Sequence, residues 1–181
     1  DLLDLSQLDA GAMVMKAQPV DLGELAREVT REFAPRADLH GSRLELRTPE
    51  RAAIALGDPD RVRQIIRILL DNALTHTPEG VKVTVTVTHN SGRAELIVSD
   101  EGGPGIDPRS QARIFERFYT ADSASGSGLG LAIAREIAQR MGGRLDVVSS
   151  GGFTGFICDL PAARRAPVGP SAEETPSEAT A

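Results

Sequence analysis

Residues 58–78, DPDRVRQIIRILLDNALTHTP, decide how the rest of the chain is read. Asp58 is an N-cap residue and Pro59 suits the first helical position, so a helix opens here. Val62, Ile65, Ile66, Leu69, Leu70 and Ala73 then form a broad apolar face, and Pro78 and Gly80 stop the helix. Asn72 and His76 continue the stripe that begins with Ile65 and Leu69. An amide on that stripe needs partners, because burying it unpaired costs on the order of a few kcal/mol. Taken alone, Asn72 suits a loop-capping role in the core as well as a ligand-binding one.

The pattern on either side extends this helix into a fold. Upstream, Asp21 and Glu24 have capping-box spacing, and Leu22, Leu25, Val29 and Phe33 share one face. They predict a helix ending near Pro35 or Ala37, followed by short strands at 43–48 and 52–56. Downstream, Val81, Val83, Val85 and Val87 alternate, and the turn Asn90-Ser91-Gly92 predicts a hairpin between strands 81–89 and 94–99. A short helix is expected around 114–118, then a helix over 129–141 closed by Gly142-Gly143. A last hairpin, 144–149 with 154–160, turns at Gly151-Gly152. Helices grouped with hairpins predict an α+β two-layer sandwich, a mixed sheet packed on about three helices.

Composition bounds the function. The chain has 181 residues, with 20 Lys and Arg against 26 Asp and Glu, a formal charge of −6. That balance argues against generic nucleic-acid binding, where a basic surface supplies much of the affinity. Apolar residues make up 40% and aromatics 3%, so a core of Leu, Ile, Val and Ala is expected. Cys158 stands alone and makes no internal disulfide. No apolar run approaches the ~18–20 residues that span a bilayer, and no basic leader opens the chain, so no membrane contact by these residues is expected. Leu2, Leu5, Leu8 and Ala12 fall at helical spacing over residues 1–18, either as the end of a helix with a missing partner or as a terminal helix docked on its own domain. From residue 162 on, Ala, Pro, Glu, Ser and Thr dominate and predict a disordered tail.

Two glycine clusters weigh on Asn72. The first, Asp100-Glu101-Gly102-Gly103-Pro104-Gly105-Ile106, follows a strand, where a carboxylate is able to accept from an amino group and glycines allow a ligand close to the backbone. The second, Gly126-Ser127-Gly128-Leu129-Gly130-Leu131, opens a helix whose free N–H groups and dipole suit phosphate. It is no dinucleotide fingerprint, because no strand immediately precedes it and no parallel βαβ unit surrounds it.

Together these residues resemble the catalytic ATP-binding domain of bacterial sensor histidine kinases. The asparagine box reads Leu69 to Pro78 and the first glycine box Asp100 to Ile106. The phenylalanine box reads Ile114-Phe115-Glu116-Arg117-Phe118-Tyr119, and the second glycine box runs from Gly126 to Ile133. The order of the four boxes covers about 21–161. The resemblance implies the histidine-kinase ATPase (Bergerat) type of sandwich over residues 19–161. It also implies that 1–18 end a dimerisation hairpin helix, whose phosphoacceptor histidine lies in a helix outside this sequence. None of His40, His76 and His89 is followed by the family's Glu or Asp.

What the resemblance implies for the site follows residue by residue. Asn72 is the Mg²⁺ ligand and Asp100 the acceptor from the adenine amino group, with Thr154 behind the adenine and His76 beside it. Gly103, Gly105 and Ile106 belong to the adenine-side loop. Ser127, Gly128, Leu129 and Gly130 face the phosphates, Arg117 neutralises the γ-phosphate, and Tyr119 borders the lid. Phe115 and Phe118 anchor the base of the lid. Three departures stand out. One extra glycine in the first box leaves either Asp100 or Glu101 as the acceptor, with Asp100 favoured because it ends the strand of Leu96 and Val98. Thr75 occupies the place of a phosphate-facing Lys or Arg. The lid after Tyr119 is short. The implied cofactors are ATP and Mg²⁺. The implied partners are the protein's own hairpin, a response regulator and a second copy in the intact, membrane-anchored parent, with this domain in the cytoplasm. An anti-sigma-type serine kinase, a DNA-clamping or client-folding ATPase and a degenerate nucleotide-binding scaffold are the alternatives.

Overall fold

The computed structural model describes residues 14–120 and 126–163, together with Ser6. Seven strands run β1 (Gln18–Asp21), β2 (Arg43–Arg47), β3 (Ile54–Gly57), β4 (Lys82–Asn90), β5 (Arg93–Glu101), β6 (Arg144–Ser150) and β7 (Phe153–Pro161). The helices are α1 (Leu22–Leu39), α2 (Pro59–His76), α3 (Pro108–Gln111) and α4 (Gly130–Arg140). Five strands form one mixed sheet in the order β2-β4-β5-β7-β6, with β2 parallel to β4 and every other pair antiparallel. Helices α1, α2 and α4 pack on it, as the pattern predicted.

Register explains where polar chemistry appears. Directly opposite residues share a face, so the helix-facing side of the sheet reads in rows. Val85, Val98, Phe156 and Val147 form one row, and Val87, Leu96, Cys158 and Leu145 the next. Both are apolar and lie against buried Ile65, Ile66, Leu69, Ile133 and Ile137. The row at the sheet's end changes character: Val83, Asp100, Thr154, Ser149.

Helix ends follow local chemistry. Asp21 caps α1 by accepting from Gly23 and Glu24, and Asp58 caps α2 by accepting from Asp60 and Arg61. Contrary to the expected stop, α1 runs through Pro35 to Leu39. Proline frees only the Arg31 carbonyl, and both residues are exposed, so water satisfies it. The stop is Gly41, at φ +65, past the cap residue His40. The short helix also moves: α3 precedes the phenylalanine box, because Asp107 accepts from Arg109 and Ser110 and Pro108 fills the first position. Residues 114–118 form turns instead. At the other end of α4, Gly142 and Gly143 donate to Gln139 and Ala138, the expected C-cap.

The termini of the domain differ from expectation as well. Residues 14–17 are not helical, and β1 pairs antiparallel with β3, a two-stranded sheet that the sequence did not signal. Lys16 N donates to Asp58 Oδ2 at 2.9 Å, tying the entering chain to the start of α2. Ala162 bridges Ala55, and Ala163 N donates to the Ile54 carbonyl at 2.9 Å, so the chain stays tied to β3 beyond Pro161. The helical stripe at Leu2 to Ala12, the lid at 121–125 and the tail from 164 lie outside the described residues, Ser6 apart.

Candidate functional site

The polar row is where the site begins. Asp100 is 6% exposed and Thr154 5%, yet the Asp100 carboxylate makes no hydrogen bond with any described residue. Burial pushes its pKa up to about 6. A buried carboxylate normally finds a donor, so this one is an acceptor kept open. Glu101, one residue on, is exposed and reaches Lys82 at 3.5 Å on the sheet's edge. Of the two carboxylates, only Asp100 faces the helices.

The first glycine loop is fastened over this row. Gly102 N donates to the Gly152 carbonyl at 2.8 Å, and Ile106 N donates to Ser149 Oγ at 2.8 Å. Gln111 Nε2 donates to the carbonyls of Ile106 and Ser149 at 2.7 and 3.1 Å. Ser149 Oγ in turn lies 3.1 Å from Thr154 Oγ1. Gly103 is there for want of space: a Cβ would come within 2.9 Å of Asp100 Oδ1 and 3.2 Å of Thr77 Cγ2. Gly105 turns at φ +71 close to Ser149. Ser149, Gln111 and Thr77 escaped the sequence reading, since each is a lone polar residue without a diagnostic spacing.

The second glycine box is held by the phenylalanine box. Phe118 N donates to the Gly128 carbonyl at 2.9 Å, and a Cβ on Gly128 would meet Phe118 backbone at 2.7 Å. Phe115 packs edge-on against Phe156, with ring centroids 6.3 Å apart, and Arg135 covers its other side. Phe115 therefore anchors by its ring and Phe118 by its backbone, its ring being 64% exposed. Helices α1, α2 and α3 all carry aspartate caps, whereas α4 starts at Leu129 with no side-chain cap. No side chain among the described residues caps its first N–H groups, which lie beside Ser127, Gly128 and Gly130. A Cβ on Gly130 would come within 3.3 Å of Ile68 Cγ2 on α2.

Asn72 is half-buried one turn after Ile68, and its amide makes no hydrogen bond with a described residue. Its carbonyl oxygen is a hard donor with nothing to do, which suits a Mg²⁺ ion that draws its other ligands from water and phosphate. Among the described residues no group of three His, Cys, Asp or Glu side chains gathers for a metal. His76 and Thr75 are exposed at the end of α2, and Thr75 Oγ1 accepts from Arg36 Nη2 at 3.0 Å. Tyr119 donates to Ser110 Oγ at 2.9 Å under the Arg113 guanidinium. Arg117 lines a cavity of about 260 Å³ with Phe115, Ala132, Arg135, Glu136 and Gln139 along α4, and none of the adenine-side residues borders that cavity.

Residues 57–164 match the family described as histidine kinase-, DNA gyrase B-, and HSP90-like ATPase. A probable sensor histidine kinase of Mycobacterium tuberculosis, TcrY, is 35% identical over 166 residues, covering 89% of this chain and 34% of that protein. Full-length ShkA, solved in complex with AMPPNP, superposes with a TM-score of 0.82 at 34% identity, over 92% of this chain and 36% of that one. The catalytic domain of the histidine kinase ThkA superposes with a TM-score of 0.74 at 27% identity, over 81% of this chain and 96% of that domain. The chain spans about a fifth to a third of the length of the first curated relatives that it matches.

Proposed function

Since the chain belongs to the histidine kinase-, DNA gyrase B-, and HSP90-like ATPase family, with sensor histidine kinases as its relatives, we propose that it binds Mg-ATP and presents the γ-phosphate to a histidine on a dimerisation hairpin. The observation that carries this reading is the Asp100 carboxylate, buried at the end of the sheet and without a protein donor. An adenine amino group supplies the missing donor. Thr154 and the loop through Gly103, Gly105 and Ile106 bound the base, and His76 stands at its edge. The polyphosphate runs from there to the uncapped start of α4, where Ser127, Gly128, Leu129 and Gly130 offer backbone N–H groups. Asn72 would hold Mg²⁺ through its side-chain oxygen. When bound, the ion neutralises charge on the phosphate oxygens.

What remains for the protein is positioning. Phosphoryl transfer needs an acceptor nearly in line with the leaving oxygen, and little covalent help. Asp100 fixes one end of the nucleotide and the α4 terminus the other. Tyr119 ties the start of the lid to α3. Arg117, bordering the cavity along α4, is the candidate to neutralise the γ-phosphate during transfer. The phosphoryl acceptor is then a histidine of the parent's hairpin, with onward transfer to a response regulator, in a homodimer anchored at the membrane. No helix among the described residues is long and apolar enough to cross a membrane.

Calorimetric titration with ATP, with and without Mg²⁺, tests the reading. Wild-type protein is expected to bind in a Mg²⁺-dependent manner, and Asn72→Ala to lose that dependence while keeping its fold. Adding the hairpin in trans should then give acid-labile label on the hairpin and none on this chain. Label on a serine of an added partner would favour the anti-sigma type of kinase. Absence of ATP binding by the wild type would favour the scaffold alternative.

A further inference from the structure

Helices α1 and α2 are joined by a line of ion pairs with one constant offset. Glu28 accepts from Arg63, Glu32 from Arg67 in a bidentate pair, and Asp71 from Arg36, each pair 35 residues apart. A constant offset means that the two helices run the same way. The polarity of the line flips at its last member. In the first two pairs the arginine belongs to α2, and in the third it belongs to α1. The end of the line nearest Asn72 therefore carries a cation that comes from outside the helix bearing Asn72.

That cation reaches past Asp71 to the next face of α2. Arg36 Nη2 donates to Thr75 Oγ1 at 3.0 Å, while Nη1 pairs with Asp71. Thr75 follows Ile68 by seven residues and Asn72 by three, so the three share one helical face. Ile68 on that face lies beneath the start of α4, 3.3 Å from where a Cβ on Gly130 would sit. The face thus borders the second glycine box at one end and holds the Arg36 guanidinium at the other, with Asn72 between them. Arg36 is well placed to take a ligand. Its side chain is 46% exposed and its partner Asp71 59%, so their pairing is readily shared, and three of its five N–H donors remain for other acceptors. Its stem is steadied by the Phe33 ring, 5.8 Å from the guanidinium carbon.

We infer that Arg36, presented across the helix pair by Asp71 and Thr75, is a polyphosphate-binding residue of the nucleotide site. It supplies from α1 the positive charge that Thr75 itself does not carry. A planar guanidinium fits phosphate oxygens in a two-pronged manner that a hydroxyl does not provide. The inference rests on the ATP reading of the site.

The test compares ATP and adenosine, each titrated with Mg²⁺ into wild type, Arg36→Gln and the double variant Arg36→Gln/Thr75→Lys. Arg36→Gln should bind ATP roughly three- to tenfold more weakly, the size of one partly exposed ionic contact, and adenosine as the wild type does. Thr75→Lys in the same background should restore ATP affinity, because the amine then grows from the position that Arg36 now reaches. Unchanged ATP binding in Arg36→Gln overturns the assignment alone, leaving the ATP site standing. Equal weakening for ATP and adenosine, without recovery in the double variant, also overturns it and makes Arg36 a tie between helices. A wild type that binds neither ligand overturns the ATP reading itself.

Discussion

A carboxylate with a pKa pushed up to about 6 by burial carries opposite consequences for folding and for binding. Its folded pKa exceeds the unfolded value, so its contribution to stability is fully present below the unfolded pKa and is lost as pH rises through about 6. At pH 8 the ionised Asp100 therefore strains the empty domain by on the order of 2–3 kcal/mol. Asp100→Asn should raise the unfolding free energy of the nucleotide-free protein at pH 8, and that gain should shrink as pH falls toward 4. The same change should remove most ATP binding, whereas Glu101→Gln, on the exposed edge, should remove little. For the wild type, ATP affinity relative to Asp100→Asn should fall as pH drops through 6 and below, because a protonated carboxyl accepts less well. Denaturant titrations and calorimetry across pH 5–8 read both effects. A larger loss with Glu101→Gln would shift the adenine contact by one residue. The inward position of Asp100 was legible in the sequence, since it continues the alternation of Leu96 and Val98. Its supporting residues were not: Ser149 lies 49 residues away and meets Asp100's row only through the register of β5, β7 and β6.

At the scale of elements, start signals proved more dependable than stop signals. Asp21 and Asp58 each cap a helix where the side chain accepts two backbone N–H groups, whereas the cap at Asp107 went unread and the short helix was expected at 114–118. Pro35 misled because the buried face of α1, Leu22 to Ala37, offsets the roughly 3 kcal/mol that a proline costs a helix interior. The pairing of β1 with β3 was hidden because each strand has only four residues, and neither alternates clearly. The joint between the phenylalanine box and the second glycine box, proposed to frame the phosphates, is open to a direct test. Gly128, at φ +66 and within 2.7 Å of Phe118 backbone, has no room for a methyl group. Gly128→Ala adds about 1–2 kcal/mol of backbone strain and a clash that is relieved only by parting the phenylalanine box from α4. ATP affinity is expected to fall about tenfold or more, with faster amide exchange at Phe118, while the Cys158 side of the sheet stays protected. Normal ATP affinity in this variant would show that the clasp plays no part in shaping the phosphate site.

For the molecule as a whole, one sheet joins the Asp100–Thr154 row to the core, so a ligand bound on that row should be felt far from it. Cys158 reports on this. It occupies the row of Val87, Leu96 and Leu145, is 3% exposed on β7 between β5 and β6, and has its thiol pushed up to about 12 by burial, with a further push from the neighbouring Asp159 charge. Only the thiolate reacts with alkylating agents. At pH 8 the folded thiol is therefore inert on both counts, and labelling requires β7 to leave the sheet. Removing β7 dismantles the Asp100–Thr154 pair in the same event, because both belong to the β5–β7 ladder. A nucleotide that binds only the intact row must then slow labelling by mass action. Saturation with Mg-ATP at 100 times its dissociation constant is worth about 2.7 kcal/mol, which corresponds to a roughly hundredfold slower modification of Cys158. The measurement is the alkylation rate followed by mass spectrometry at several ATP concentrations, under conditions where opening is fast relative to chemistry. A rate independent of ATP would mean that Cys158 is reached through a local opening of β6 that spares the Asp100 row, and that the sheet does not unfold as one unit.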